Sequence, residues 1–349
     1  MAKNRTLYIV IGCDTDPDRR GFLNGDIAEG RSWRGLEEGI PLFKELSSDV
    51  KDDQGQPPRI TWLVRVDEQI RLLYGDFGWA LKRYNSFWKE LESGGDELGW
   101  HPHFYRQDEK SGRWYQVIDD PAWQSEMLAA AYHSYQSVFP GRARSVRMGW
   151  DYHNNTTMRK LDQLGVSVDF SALPGLKTRA AREKTRSYNV FDWHISPRDP
   201  YFPSGEDYRR SPRNSEKALG ILELPIYTSP SPIWGLISGL QMTRKMGDPS
   251  HLFRAIRRPA YTINITGRPS LFAPVISGLR NLISKQRDIF FATYFHADEL
   301  LDNKGSIYSR QNFLANTLSL LKLCQQSGIG ARFIKASEAK TLFETSNSH

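Results

Sequence analysis

The chain has 349 residues, 47 Lys+Arg against 40 Asp+Glu, 39% hydrophobic and 25% charged, which supplies a sizeable core and excludes a disordered or collagen-like protein. No apolar run approaches the roughly eighteen residues of a spanning helix, and the short run at 7–11 meets acids too soon for a leader, so neither a transmembrane segment nor a signal peptide is expected. Cys13 and Cys324 are too few for a disulfide framework and are expected as reduced core residues of a cytoplasmic protein.

Residues 7–13 form a β-branched apolar run that stops at Asp14-Thr-Asp16-Pro17-Asp18, the pattern of a buried strand opening into an acidic loop. A helical stripe follows over 33–46, with Leu36, Ile40 and Phe43 on one face, then Pro57-Pro58 and a strand at 60–64. A helix over 79–91 is closed by Gly94-Gly95, and Glu97-Leu-Gly-Trp-His101-Pro-His103 reads as a short strand ending in histidines. Helix 121–139, strand 145–148, helix 156–164 stopped by Gly165, and strand 166–170 continue the alternation. Parallel neighbours need crossover connections, so the expected fold class is α/β, a distorted (β/α) barrel of mainly parallel strands with helices outside.

Residues 174–217 break the pattern with polar, Pro- and Arg-containing sequence and are read as an irregular insertion. Strand character returns at 221–226, the stretch 239–287 holds one or two helices, and a strong strand at 288–295 stops at His296. A helix over 310–326 then leads to a strand at 331–334. With no fixed-period repeat and no low-complexity linker, residues 1–349 are expected to form a single domain.

The net charge of +7 is unevenly spread. Between residues 239 and 287 nine Lys+Arg face one acid, Asp248. Such a stretch is either a solvated basic face or a contact for an anionic glycan, a lipid-linked glycan or an anionic membrane. No zinc-finger spacing, RNP-like motif or basic-helix heptad accompanies it, so nucleic acid is not an expected partner.

Asp14 and Asp16 stand two apart beyond a strand, and carboxylates so close cannot both be buried and ionised unless a cation neutralises them. The same Asp-x-Asp also fits a glycosyltransferase that holds a nucleotide-sugar through a divalent ion, or a loop cap. His101 and His103 are i and i+2 of an extended segment, so both imidazoles point to one side, where histidine with carboxylate suits zinc or another first-row metal. His296, at a third strand end, adds a histidine at the same barrel mouth.

In this order the pieces resemble the polysaccharide deacetylases of carbohydrate esterase family four, the NodB-homology family, in its divergent members. The likeness runs over about 7–301 and rests on Asp14 and Asp16, on His101-Pro-His103, on Arg147-Met-Gly-Trp150, on Leu222-Glu-Leu-Pro225 and on Phe295-His296. Asp192-Trp193 and Pro200-Tyr-Phe-Pro-Ser204 resemble the family's fourth region. The spacings differ: the core family has adjacent aspartates and histidines four apart, and of its Arg-x-Pro-Tyr motif only Arg147 remains.

The resemblance implies a divalent cofactor, zinc foremost, held by Asp16, His101 and His103. It implies Asp14 as base, His296 as acid, Arg147 as the brace of Asp14, and the backbone near Trp150 as an oxyanion donor. The roles of Asp14 and Asp16 can be exchanged. The expected substrate is an N-acylated amino sugar of a surface polysaccharide or its precursor, and the alternative is a non-catalytic carbohydrate-binding or glycan-assembly protein on the same scaffold. Trp150, Trp193 and Tyr201 are the expected substrate contacts, with Trp100, His153 and His194 as further candidates. His133, His251 and His349 are read as surface or packing residues, and Glu97 as either a partner orienting a ligand histidine or a solvated carboxylate.

Overall fold

Strand β1 (Thr6–Thr15) is buried at every residue from Leu7 onward, because both of its edges and both of its faces are covered. The computed structural model in which it lies describes residues 5–18, 32–110, 112, 114–178, 190–284, 288–301 and 305–347. One edge of β1 carries β11 (Ile289–His296) along Leu7 to Asp14. The other is shared by β12 (Gly330–Ile334) on its first half and β2 (Ile60–Arg65) on its second. The sheet continues through β3 (Glu97–His101), β6 (Ser145–Val146), β7 (Val168–Asp169) and β10 (Leu222–Glu223), giving the order β10-β7-β6-β3-β2-β1-β11 with every pairing parallel.

Among the described residues, closure comes from a single parallel bridge. Beyond β10, Ile226 pairs with Ala292 of β11, and the Tyr227 amide donates to the Ala292 carbonyl at 2.9 Å. The predicted barrel is therefore present but distorted, its seam held by one bridge instead of a full ladder.

Among the described residues two small hairpins lie off this sheet: β4 (Tyr105–Gln107) with β5 (Trp114–Gln116), and β8 (Lys177–Thr178) with β9 (Phe191–Asp192). Part of the expected insertion, 179–189, lies outside the described residues.

Helices fill the crossovers. A π-helical turn (Gly35–Gly39) runs into α1 (Ile40–Ser47), and the Asp67 side chain caps α2 (Glu68–Tyr74) by accepting from the Ile70 amide at 3.0 Å. The helix expected over 79–91 is two, α3 (Trp79–Arg83) and α4 (Asn85–Ser93), parted at Tyr84, whose backbone leaves the helical region. α5 (Pro121–Val138) begins with Pro121 after the Asp120 cap, and α6 (Asn155–Gln163) with a capping box between Asn154 and Thr157. The basic stretch holds three helices, α7 (Pro232–Met246), α8 (Ser250–Arg257) and α9 (Pro269–Ile283), instead of one or two. α10 (Arg310–Ser327) and α11 (Ala336–Asn347) complete the chain. Among the described residues no helix is long and apolar enough to cross a membrane.

The period-two alternation of parallel strands sets the interior. Gly12, Asp14 and Asp16 share one side of β1 and its extension, as do Leu63, Arg65 and Asp67 of β2, and Gly99, His101 and His103 of β3. The interior is tight below the polar residues: a side chain at Gly12 would run into the Phe170 ring, and one at Gly99 would come within 2.8 Å of the Leu63 side chain. Leu63 and Phe170 thus form an apolar floor, and the polar residues above it stand at the carboxyl ends of the strands.

Candidate metal centre and active site

The parallel register brings residues far apart in sequence to one level. Asp14 pairs with His296 across β1 and β11, and Arg65 pairs with His101 across β2 and β3. Thr15, between the aspartates, turns its hydroxyl the other way and donates to the Leu63 carbonyl at 2.7 Å, so that Asp14 and Asp16 both face inward.

Asp16, His101 and His103 each offer a ligand atom within 4.8 Å of the others, and all three are buried. The His101 Nδ1–H donates to the Arg147 carbonyl at 2.6 Å. Because a carbonyl only accepts, that bond fixes the tautomer and leaves Nε2 with a lone pair directed into the site. The His103 Nε2 lies 2.9 Å from the His101 Nε2, while Asp16 oxygens stand 3.7 Å from His101 and 3.9 Å from His103. Burial, with the charge of Arg65, pushes the His103 imidazole well below its usual value and favours the neutral ligand form. Burial alone would raise the Asp16 carboxyl, but the Arg65 guanidinium bonded to it holds it well below the usual carboxylate range. Two imidazole nitrogens and an ionised carboxylate at this separation can hold a metal ion, and they are the donor set of a first-row cation.

Asp14 is buried beside this group. One of its oxygens pairs with Arg147 and lies 3.7 Å from the His101 Nε2 and 3.5 Å from the His296 Nε2, while the other has no protein partner among the described residues. Arg147 also pairs with Asp151, and its guanidinium carbon sits 3.6 Å from the Tyr294 ring centroid. Burial opposes the Arg147 charge, and Asp14 and Asp151 more than restore it. Burial dominates at Asp151: despite Arg147, and with Asp14 close by, its carboxyl is pushed up to about 6. The His296 Nδ1 faces a Glu299 oxygen at 3.2 Å, and Glu299 is itself held by Asn264 and Thr266.

Six residues singled out in the sequence, Asp14, Asp16, His101, His103, Arg147 and His296, are therefore gathered in one place. Trp150 is at its edge, half-buried, with a left-handed backbone (φ 57°) and an indole N–H donated to Tyr105.

Other expectations need correction. Trp193 is fully buried, donates to the Asp151 carbonyl at 2.7 Å and packs on Tyr208, so it offers no face to a sugar. Tyr201 is buried with its hydroxyl on the Tyr208 carbonyl, and Trp100 is buried with its indole on the Val66 carbonyl. His153 is buried 2.9 Å from Asp169, and His194 is bound to Asp192 at 2.5 Å. In keeping with their reading as surface or packing residues, His133 is exposed and His251 buried, whereas His349 lies outside the described residues. Glu97 occupies the opposite end of β3 from His101, where it holds Thr61, Ser145 and the Ser337 amide, and cannot orient a ligand histidine.

Arg65, Asp67 and Gln69 complete the site without having been expected in it. Arg65 bonds Asp16 at 2.7 Å, Gln69 at 2.7 Å, and Asp67. Asp67 accepts the His103 amide at 2.9 Å and so links the second strand end to the histidine loop. A charged residue closing an apolar strand is the signal that marks Asp14, and it marks Arg65 equally.

Gly149 has no room for a side chain: a Cβ there would enter the His103 ring. Gly149→Ala is expected to fold at a cost of about 1–3 kcal/mol and to weaken metal affinity about 10–100-fold by displacing that imidazole. A chelator-competition titration of a variant with a parent-like circular dichroism spectrum checks this.

No protein-family model matches the chain, and no curated protein matches it. Solved structures do. A protein of Parabacteroides distasonis provisionally named a glycoside hydrolase/deacetylase superposes with a TM-score of 0.56 at 14% identity, over 98% of this chain and 71% of that one. A protein of Mycobacterium smegmatis provisionally named a polysaccharide deacetylase superposes with a TM-score of 0.50 at 12% identity, over 99% and 93%. The fold is that of the polysaccharide deacetylases. At these identities the likeness establishes the deacetylase fold and leaves the chemistry to the residues themselves.

Proposed function

We propose that the protein is a metal-dependent deacetylase that hydrolyses an acetyl-type N-acyl group from an amino sugar of a cell-surface polysaccharide or its precursor. The observation that carries this is the convergence of Asp16, His101 and His103 beside a braced carboxylate, Asp14, on a deacetylase fold. We assign it to the cytoplasm, a setting in keeping with Cys13 and Cys324 as buried free thiols.

Asp16, His101 and His103 would hold a divalent ion, zinc by their donor chemistry, which supplies Lewis acidity toward water and the acyl carbonyl. Asp14 takes the proton of the attacking water through an oxygen beside His101 and His296. Arg147 keeps that carboxylate charged and fixes its direction. The Gly149 amide is committed to the Pro102 carbonyl at 2.8 Å, so the next amide, that of Trp150, is the proposed donor to the oxyanion. His296, its Nδ1 held by Glu299, protonates the departing amine from Nε2, without which an amine is a poor leaving group.

The altered motif spacings do not scatter these side chains, since a two-residue step on an extended segment returns to the same side. Release of acetate from N-acetylated amino-sugar oligomers by the zinc-loaded chain should stop on chelation and return with zinc or cobalt. Tight binding of such oligomers without turnover would select carbohydrate binding on the same scaffold instead.

A further inference from the structure

Of the ten tryptophans in the chain, Trp114 of β5 is the one with neither a ring nor a hydrogen-bond partner among the described residues. Five of the others are buried, Trp79 and Trp123 pack against the core, Trp150 meets His103 and Tyr105, and Trp234 meets Tyr261. Trp114 is half-buried and stands outside the core cluster. A single open aromatic ring needs no explanation by itself. Its place in the fold supplies one.

The β4–β5 hairpin follows directly on the histidine strand end. Its register sets Tyr105 opposite Gln116 and Gln107 opposite Trp114, with Arg106 opposite Tyr115 between them. Opposed residues share a face of an antiparallel pair and successive residues alternate, so Tyr105, Gln107, Trp114 and Gln116 form one face, Arg106 and Tyr115 the other. The Arg106 face is turned to the start of α5, where its guanidinium lies 4.2 Å from the Trp123 ring centroid and pairs with Asp120 at 3.0 Å. The Tyr105 face is turned to the metal centre: the Tyr105 ring stacks on the His103 imidazole with centroids 5.5 Å apart, and its hydroxyl accepts the Trp150 indole N–H. Trp114 is the diagonal neighbour of Tyr105 on this face, about 7–8 Å away. It continues, one step toward the hairpin tip, the aromatic surface that begins at a ligand histidine.

A sugar ring carries C–H groups on its faces and hydroxyls around its rim. A bare indole receives the first, and a side-chain amide beside it receives the second. Gln107 is that amide: its nitrogen donates to the Gly112 carbonyl at 2.8 Å, and its oxygen is an acceptor for a hydroxyl. All four residues of the face are uncharged, which suits a neutral glycosyl residue and gives nothing to the phosphates of a nucleotide-sugar. A ligand lying on Trp114 while its acyl group is at the metal has more than one ring.

We propose that Trp114 and Gln107 form a subsite for the glycosyl residue adjoining the one that is deacetylated, so that the substrate is an oligomer or polymer and not a single activated sugar. This deepens the deacetylase reading and rests on it for the sugar at the metal.

Calorimetry on the zinc-loaded full chain, carrying Asp14→Asn to prevent turnover, compares N-acetylglucosamine with its linear β-linked tetramer. The tetramer is expected to bind about tenfold tighter or more. Trp114→Ala should abolish that advantage with an unchanged circular dichroism spectrum, Trp114→Tyr should keep most of it, and Tyr115→Ala, on the opposite face, should leave it intact. No advantage for the tetramer, an advantage that survives Trp114→Ala, or an equal loss in Tyr115→Ala would overturn the subsite. Acetate release from the tetramer by the unsubstituted chain is scored separately. Turnover with an affinity that ignores Trp114 keeps the deacetylase and removes the subsite, whereas Trp114-dependent binding without turnover does the reverse.

Discussion

Asp14→Asn is expected to keep the metal and to slow amide hydrolysis by about 10²–10⁴-fold. The substitution preserves shape and removes the capacity to take a proton. In the proposed mechanism Asp14 is the base, buried, tied to Arg147, and set between His101 at 3.7 Å and His296 at 3.5 Å. Asp16, by contrast, faces both ligand imidazoles, so Asp16→Asn and His103→Ala should lose the ion and the activity together. Metal content by mass spectrometry, measured beside acetate release, separates the two classes. The exchanged pattern, with metal lost in Asp14→Asn and kept in Asp16→Asn, would exchange the two roles.

Arg147→Met is expected to destabilise the fold by about 3–5 kcal/mol, because it leaves Asp14 and Asp151 as buried carboxylates without their cation. The loss should depend on pH. Asp151 already sits at about 6 with Arg147 present, and an acid held above its unfolded value binds its proton more tightly in the folded state, so its contribution to stability falls as pH rises through that window. Removing Arg147 moves the window upward. Urea titrations should therefore show a deficit that grows between about pH 5 and pH 8, and that Asp151→Asn partly relieves at the higher pH. A deficit independent of pH would mean that Arg147 acts through packing on Tyr294.

Strand ends were legible because a buried parallel strand has a continuous apolar signature that a polar residue can only terminate. That rule located Asp14, His101 and His296 and, extended one residue beyond Val64, reaches Arg65. The alternation of strands and helices likewise carried the barrel. What the sequence did not carry was direction. Trp193 and Tyr201 have an apolar body and a polar tip, and that combination reads alike in a sugar cleft and in a core where the tip finds a carbonyl. Glu97 belongs to the same strand as His101, but five extended residues put about 13 Å between its ends, and Glu97 is at the wrong one. α2 is seven residues long and the small hairpins have strands of two or three, too brief for a clear periodicity, whereas α11, at twelve residues, is long enough to carry one and lies beyond the last element assigned from the sequence.

Anomalous scattering from crystals grown with zinc, recorded on both sides of the zinc absorption edge, tests the metal centre most directly. A peak is expected between the Asp16 carboxylate and the Nε2 atoms of His101 and His103, with Asp14 outside bonding distance and still paired to Arg147. No peak there at full zinc occupancy of the solution, or a peak bound by other residues, would contradict the assignment of this cluster as the metal site and the hydrolytic mechanism built on it.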